Sequence, residues 1–282
     1  RWSSSCQQIL TKAERVNGVR LTTGEQLDAE VVVFNGDVNA LASGLLGEDL
    51  RQAAMATPKA RRSLSAMTWC SLANTQGWPL VRHNVFFDRH YKSEFDDIFG
   101  HGRFPARPTV YVCAQDRLDD GAVHAPADMH GAERLLCLVN APARGDSSRV
   151  PQADDEKEMQ QCETRTFELL QNCGLQIRAH QTVRTSPWEF ESRFPATGGA
   201  LYGPATHGWM SAFNRASALS RVPGLFLTGG STHPGPGVPM AAMSGRIAAE
   251  TVMAHLGSTS RSARVLISGG ISTRSATMGN TA

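Results

Sequence analysis

The stretch that decides the fold runs from Pro223 to Glu250 and reads PGLFLTGGSTHPGPGVPMAAMSGRIAAE. Its first part, Leu225-Phe226-Leu227, is a short apolar run typical of a buried strand, and Thr228-Gly229-Gly230 ends it. Val238-Pro239 then opens a predicted helix, because proline is favoured at the first helical position. The pattern predicts a strand, a Gly/Pro-rich turn and a helix.

The composition of this turn suits an anionic or electron-rich ligand. A helix N-terminus presents N–H groups without intrahelical acceptors and about half a positive charge. Glycines ahead of it let a ligand approach the backbone closely. Such a place suits a pyrophosphate, or the N1/C2=O edge of a reduced isoalloxazine ring. A tight strand–helix corner that needs glycine for steric reasons explains the spacing as well.

Several other motifs are excluded by the same residues. The turn is not a P-loop, because no Lys-Ser or Lys-Thr pair follows its glycines. Gly235-Pro236-Gly237 lacks the third glycine or alanine of a dinucleotide fingerprint, and no G-x-G-x-x-G opens a βαβ unit elsewhere in this sequence. There is also no G-x-S-x-G elbow. The turn therefore does not identify its ligand by itself.

Composition indicates a globular protein without a nucleic-acid partner. The chain has 28 basic and 26 acidic residues, a net charge of +2, and 41% hydrophobic residues. The six cysteines form no C-x-x-C pair, so we expect free thiols in a reducing compartment and no metal site. No apolar run approaches the ~20 residues that span a bilayer. The sequence starts with Arg1 in the middle of strand signals, which leads us to expect a fragment.

Upstream of the turn, residues 9–37 carry strand signals. Asn17-Gly18 predicts a hairpin turn, with Val19-Arg20-Leu21 as the strand that follows it. Val31-Val32-Val33-Phe34 is a continuous apolar run, which predicts a strand buried on both faces of an α/β sheet. Asn35-Gly36-Asp37 closes this strand.

The middle of the chain predicts a different architecture. The spacing of Leu41, Leu45, Leu46 and Leu50 predicts a helix within residues 40–67, whose basic end is either a solvated face or a surface for anionic lipid. Strands and a second helix follow, and polar connections favour an antiparallel sheet. The predicted strands are His83–Asp88, Thr109–Ala114 and Leu135–Asn140, and the helix is Asp154–Asn172, ending at Gly174.

The segment from Gly229 to Glu250 resembles the C-terminal flavin signature of the bacterial-type phytoene desaturase family of FAD enzymes. The resemblance covers nearly the whole chain. Within that family, the chain is most similar to the hydroxyneurosporene or methoxyneurosporene branch, which introduces a C-3,4 double bond into 1-hydroxy- or 1-methoxycarotenoids. The stretches that support this branch are RHNVFFD at 82–88, PTVYVCAQDR at 108–117 and FPATGGALYGPATHGWM at 194–210.

The resemblance implies an α/β fold. It would be the C-terminal part of a glutathione-reductase-like FAD-binding fold with an inserted, mostly antiparallel-sheet substrate domain, and the N-terminal dinucleotide-binding half is missing from this sequence. The implied division is an FAD-domain segment at 1–38, a substrate domain at 39–195, a C-terminal FAD-domain segment at 196–256 and a loosely ordered tail at 257–282.

The resemblance also assigns site residues. Thr228, Gly229, Gly230 and Ser231 would lie along the phosphate and ribityl side of FAD, while Gly237, Val238, Pro239 and Met240 would face the ring edge. His233 is the candidate acid/base residue, although it also suits a purely structural hydrogen bond in the turn. The candidate walls of a polyene channel, for which ordinary packing is an equal explanation, are Tyr202, His207, Trp209 and Phe213, with Phe194 beside them.

The implied partner is a carotenoid delivered from membrane lipid to a cytoplasmic protein with peripheral membrane contact. Three alternatives to a C-3,4 desaturase stay open at this point. They are a phytoene desaturase, a related flavoprotein acting as carotene isomerase or retinol saturase, and a truncated product without activity. The sequence gives no prediction of the oligomeric state.

Overall fold

The computed structural model describes residues 2–124, 131–205 and 215–265, and the side chains up to residue 258. The chain mixes helices and sheets. The strands are β1 Cys6–Lys12, β2 Arg15–Leu21, β3 Gln26–Asp28, β4 Val32–Phe34, β5 Ser65–Gly77, β6 His83–Phe86, β7 Val110–Ala114, β8 Glu133–Ala141, β9 Leu175–Thr185 and β10 Leu225–Leu227. The α-helices are α1 Val38–Ala42, α2 Ser93–Phe95, α3 Ala153–Asn172, α4 Pro187–Arg193 and α5 Val238–Val265.

The middle of the chain forms a five-stranded antiparallel sheet with strand order β6-β7-β8-β5-β9. Buried and less buried residues alternate along β7 and β8, as expected for a sheet that buries one face more deeply than the other. Helix α3 packs Met159, Cys162 and Leu170 into the core of this sheet. The three strands predicted here, the helix over 154–172 and the left-handed glycine Gly174 that ends it are confirmed.

A second core lies around β4 and β10, which pair in parallel although they are distant in sequence. It also contains Leu41, Leu50 and Ala53, which the predicted boundary at residue 38 assigns to the substrate domain. The domain division itself stays a prediction. Val33 of β4 is 51% exposed, so the prediction that this strand is buried on both faces is wrong for this chain.

The predicted hairpin turn at Asn17-Gly18 is wrong. The turn between β1 and β2 is Ala13-Glu14, where both residues have positive φ. Asn17 instead lies in a bulge within β2, because Leu10 pairs with Gly18 while Thr11 pairs with Val16. A Cβ on Gly18 would lie 2.3 Å from the Leu27 carbonyl oxygen of β3, so this glycine permits close strand approach.

The single helix predicted over residues 40–67 is also wrong. Helix α1 ends at Ala42, and Gly44 and Gly47 adopt positive φ, which stops helical propagation. Two 3-10 turns, Glu48–Ala53 and Lys59–Arg61, follow before β5 begins. The basic end is not a lipid-facing surface throughout, since Arg62 is buried and forms two hydrogen bonds of 2.9 Å with Asp146.

Helix α5 begins at Val238 as predicted, and it continues to Val265, past residue 257, at which a loosely ordered tail was expected to begin. Residues 266–282 of that predicted tail lie outside the described residues. Within the described part of the chain, no helix combines the length and the apolar character that crossing a bilayer requires.

Candidate functional site

Two chain segments meet at one edge of the β4–β10 pair. Because the strands are parallel, the residues after Phe34 and after Leu227 leave the pair on the same side. The Thr228 N–H donates to the Phe34 carbonyl at 3.0 Å. Gly229 has φ of +116°, and a Cβ there would lie 2.7 Å from Asn35 Oδ1. The glycine is therefore required for the two loops to lie against each other.

The hydroxyl of Ser244, which is buried in α5, fixes the turn to the helix. Its Oγ accepts from the Gly229 N–H at 3.1 Å and lies 2.8 Å from Thr232 Oγ1. Thr228 Oγ1 is 3.4 Å from the same oxygen. The Thr232 hydroxyl also donates to the Gly229 carbonyl at 2.7 Å. The first half of the turn is thus held by side chains that point inward.

Asp37 connects the other loop to the same edge. Its carboxylate accepts from the Asn39 N–H at 2.9 Å and caps α1. The Val38 N–H donates to Ser231 Oγ at 3.3 Å, which joins the two loops. Burial raises the pKa of the Asp37 carboxyl above its ordinary value, while the Asn39 hydrogen bonds and the charges of Arg215 and Arg62 oppose that change.

A buried arginine lies directly behind the turn. Arg215 is 6% exposed, and its guanidinium donates to the carbonyl oxygens of Gly230, Tyr202 and Pro204, each at 3.0 Å. Burial lowers the pKa of this guanidinium, and the Asp37 charge acts in the opposite direction. Arg215 thereby links the turn to the segment that returns from the five-stranded sheet.

A cavity of about 220 Å³ opens at this edge. The two loops line it from one side, and the segment after α4 lines it from the other. The lining residues are Asn35, Gly36, Asp37, Phe190, Phe194, Thr197, Ala200, Leu201, Gly203, Gly230 and Ser231. Glycines and small side chains dominate the loop side, so the backbone is accessible to a ligand there.

Comparison with protein families identifies the family to which this chain belongs. Residues 1–253 match the model of the family described as flavin containing amine oxidoreductase. The chain belongs to this flavin-containing oxidoreductase family. Family membership implies a flavin cofactor for the whole protein.

Individual relatives are similar over almost all of the chain. The chain is 61% identical over 287 residues to hydroxyneurosporene desaturase of Rubrivivax gelatinosus, covering 100% of this chain and 52% of the relative. It is 40% identical to the enzyme of that name from Cereibacter sphaeroides, over 93% of this chain and 50% of the relative. It is 31% identical to a zeta-carotene-forming phytoene desaturase of Myxococcus xanthus, over 93% of this chain and 50% of the relative. The chain therefore spans about half the length of the curated relatives it matches.

The residues at the edge fit the flavin of this oxidoreductase family. Gly237 has positive φ and open space where a Cβ would stand, and it directly precedes the first residue of α5. The first N–H groups of that long helix have no intrahelical acceptor. Among the residues that the structure describes, the buried Arg215 Nε has no hydrogen-bond partner. Accessible donors and glycine backbone are the features that an electron-rich ring edge requires.

The predicted cofactor residues fall into two groups, those hydrogen-bonded within the turn and those exposed at the start of α5. Thr228, Gly229 and Ser231 use their side chains or N–H groups in internal hydrogen bonds, so any contact with a ligand would come from the remaining backbone. Gly230 and Ser231 also line the cavity. Gly237, Val238, Pro239 and Met240 are exposed around the helix start. Their assignment to the flavin stays a prediction.

The predicted catalytic and channel residues are only partly described. The backbone N–H of His233 donates to the Ala216 carbonyl at 2.8 Å, and the His233–Pro234 peptide is cis. Tyr202 is half-exposed, and its carbonyl oxygen accepts a hydrogen bond from the Arg215 guanidinium. The other three channel candidates, His207, Trp209 and Phe213, lie outside the described residues.

Sequence reasoning missed Arg215, Ser244 and the role of Asp37 as a neighbouring charge. Ser244 carries a detectable signal, because a serine on the small-residue face of a helix after a glycine turn is placed to bond that turn. No three His, Cys, Asp or Glu side chains gather as metal ligands in residues 2–124, 131–205 or 215–265.

Proposed function

We propose that the full-length protein containing this chain is an FAD-dependent carotenoid desaturase that introduces the C-3,4 double bond into 1-hydroxy- or 1-methoxycarotenoids. The observation that supports it most is the 61% identity to a hydroxyneurosporene desaturase across the whole chain. Identity to the phytoene desaturase of Myxococcus xanthus is half of that, at 31%. The difference favours the hydroxylated substrate over phytoene.

FAD is the flavin we propose, because the segment from Gly229 to Glu250 resembles the C-terminal flavin signature of a family of FAD enzymes. The chain's own contribution is the edge of the β4–β10 pair and the start of α5. Gly230, Ser231 and the residues from Gly237 to Met240 would hold the flavin through backbone groups. A bound flavin supplies the redox step by accepting the electrons that leave the substrate.

The chain's side chains have separate roles in this proposal. Ser244 and Arg215 hold the turn in place from behind. His233, between the two halves of the turn, is the candidate for moving a proton. Phe194 lines the cavity and presents an apolar wall to a polyene.

We further propose that the protein takes its substrate from the cytoplasmic side of a membrane surface. A C40 polyene partitions into lipid, so the enzyme must meet it there. An exposed aromatic face supports this contact. The exposed aromatic side chains of the segment 87–96 are Phe87, Tyr91 and Phe95, at 60%, 46% and 42%, and the ring centroids of Phe87 and Tyr91 lie 6.1 Å apart. Arg89, Lys92 and Asp96 are exposed in the same segment. Aromatic rings with adjacent basic groups suit the interface of an anionic membrane.

The test uses the full-length protein loaded with FAD, in liposomes that contain either 1-hydroxyneurosporene or phytoene. Products are separated by chromatography and identified by their absorption spectra. We expect a red-shifted product from the hydroxylated substrate and none from phytoene, because each added conjugated double bond moves the absorption to longer wavelength.

Four other outcomes of this test separate the alternatives. Conversion of phytoene alone would keep the family and replace the substrate. A product with an unchanged number of conjugated bonds would favour an isomerase, and loss of bonds would favour a saturase. Protein that holds flavin yet changes neither substrate under any electron acceptor would contradict the proposal.

A further inference from the structure

Arg215 is a buried cation that forms no ion pair with a carboxylate of the described residues. Its guanidinium is 6% exposed, and its three hydrogen bonds go to backbone carbonyls, not to carboxylates. No salt bridge joins it to an acidic side chain among the described residues. Burying a charge in this way is costly, so a position that keeps one has a compensating reason.

Asp37 is the acidic residue whose charge acts on Arg215, and against the larger effect of burial it raises the pKa of the guanidinium. The cost of burial is visible in both groups, since it lowers the pKa of the guanidinium and raises that of the Asp37 carboxyl. Both charges therefore lie at the same poorly solvated edge, and neither is neutralised by direct contact with the other.

The guanidinium is held in one place by its surroundings. A Cβ on Gly235 would lie 3.3 Å from Arg215 Nε, and a Cβ on Gly203 would lie 3.5 Å from its terminal nitrogen. Both glycines have positive φ. The group is thus flanked by two glycine backbones, and its Nε–H lacks an acceptor among the described residues.

We propose that Arg215 is a positioning residue that fixes the Gly230 carbonyl and, through its buried positive charge, stabilises the reduced form of the flavin at this turn. This inference rests on the proposed flavin site. A reduced flavin carries more negative charge than the oxidised form, so a fixed cation in a poorly solvated place favours reduction. Asp37 acts in the opposite direction from the same edge.

Different substitutions separate the hydrogen bonds of Arg215 from its charge. Arg215→Lys keeps the charge but loses the planar fork that reaches three carbonyls. Arg215→Met keeps much of the apolar stem and loses the charge. Asp37→Asn removes the opposing negative charge and keeps an oxygen that can cap α1. Arg221, exposed in the same segment, provides the matched control Arg221→Met.

The measurement is the two-electron midpoint potential of the bound flavin in the full-length protein, followed spectroscopically during reductive titration. For Arg215→Met we expect the ratio of reduced to oxidised flavin at a given potential to fall at least tenfold, which is about 30 mV for a two-electron couple. For Asp37→Asn we expect a shift in the opposite direction. Arg215→Lys is expected to stay nearer the wild type, and Arg221→Met to match it.

An unchanged potential in flavin-loaded Arg215→Met, or an equal drop in Arg221→Met, overturns the inference. If Arg215→Met does not fold or holds no flavin, Arg215→Gln takes its place, since glutamine keeps hydrogen-bond donors and loses the charge, and an unchanged potential in that variant overturns the inference. The wild-type protein separates this result from the proposed function. A wild type without flavin would sink the proposed function itself, whereas an active wild type with insensitive potentials would sink only the role of Arg215.

Discussion

At the scale of single residues, the turn depends on groups that lie behind it. The Ser244 hydroxyl forms hydrogen bonds with Gly229, Thr232 and Thr228, so one oxygen determines where half of the turn lies. Arg215 does the same for Gly230 from the other side. The residues that would face a ligand contribute mostly backbone, and the side chains that specify their position face away from it.

Ser244→Ala is expected to destabilise the protein by about 1–2 kcal/mol, because it leaves the Gly229 N–H without its acceptor and opens space beside Thr232. Flavin retention is expected to weaken with it. Urea unfolding measures the first effect, and flavin content after gel filtration measures the second. Ser147→Ala, at an exposed position away from the turn, is the control and should change neither. Equal stability of the two variants would contradict the anchoring role.

Gly229→Ala tests the contact between the two loops. Alanine is strained at φ of +116°, and its Cβ would lie 2.7 Å from Asn35 Oδ1, so we expect a loss of about 1–3 kcal/mol. Adding Asn35→Ala should recover the steric part of that loss and leave the backbone part. A double-mutant cycle from denaturant unfolding measures the coupling. Additive effects would mean that the loops do not meet as described.

At the scale of elements, the segment around α2 has an unusual distribution of exposure. Glu94 and Asp97 are buried within it, while Tyr91 and Phe95 are exposed. The buried Glu94 carboxylate accepts from the Thr109 N–H at 3.1 Å and from Asn140 Nδ2 at 2.9 Å. The segment is therefore tied to β8 and to the residue before β7 through Glu94, while it presents Tyr91 and Phe95 outward.

Phe95→Ser in the full-length protein is expected to lower binding to liposomes that contain anionic lipid several-fold, because it removes apolar surface from the side that we propose contacts the membrane. Flotation of the protein with liposomes measures the bound fraction. Val150→Ser removes an exposed apolar side chain elsewhere and should leave binding unchanged. Unchanged binding of Phe95→Ser together with reduced stability would show that this face packs against protein instead.

The sequence predicted elements well where the signal is local and strong. Proline at the start of α5 and glycine after α3 mark real helix ends, and β-branched runs mark β6, β7 and β8. It failed where one pattern fits two structures. Asn17-Gly18 suits a bulge as well as a turn, and leucine spacing suits a helix until Gly44 and Gly47 interrupt it.

The site itself was predicted only as far as its backbone. The glycine turn and the helix start were recognisable, because their residue types are demanded by local conformation. Arg215 was not, since an arginine in a polar stretch gives no local sign that it will be buried. Its position depends on Tyr202, Pro204 and Gly230 coming together, and no short-range pattern encodes that contact.

At the scale of the whole molecule, two separate cores give two places where packing can fail. Cys137 and Cys162 belong to the core of the five-stranded sheet, and all six cysteines are free thiols. Burial raises the pKa of both Cys137 and Cys162 to about 12. A thiol must ionise before it reacts, so the reactivity of these two cysteines measures whether the core around them is folded.

We expect Cys137 and Cys162 to resist iodoacetamide at pH 8 in the folded protein and to react once the sheet unfolds. Above pH 9 the unfolded thiols ionise while the folded ones stay protonated up to about 12, so these two groups lower the free energy of unfolding as the pH rises through that window. Mass spectrometry of labelled peptides across a urea series measures the protection. Exposed Cys70 is the internal reference, and labelling of all three at equal rates without urea would contradict the packing.

The pairing of β4 with β10 also determines the order in which parts of the fold can form during synthesis. Residues 35–224 must be synthesised before β10 exists, which takes on the order of ten seconds or more at about 5–20 residues per second. Until β10 is made, β4 lacks this partner, whereas the five-stranded sheet has all its strands once β9 is complete at Thr185. The edge that we propose as part of the flavin site is consequently completed late, and a chain that ends between residues 186 and 224 contains all five strands of the sheet but lacks β10.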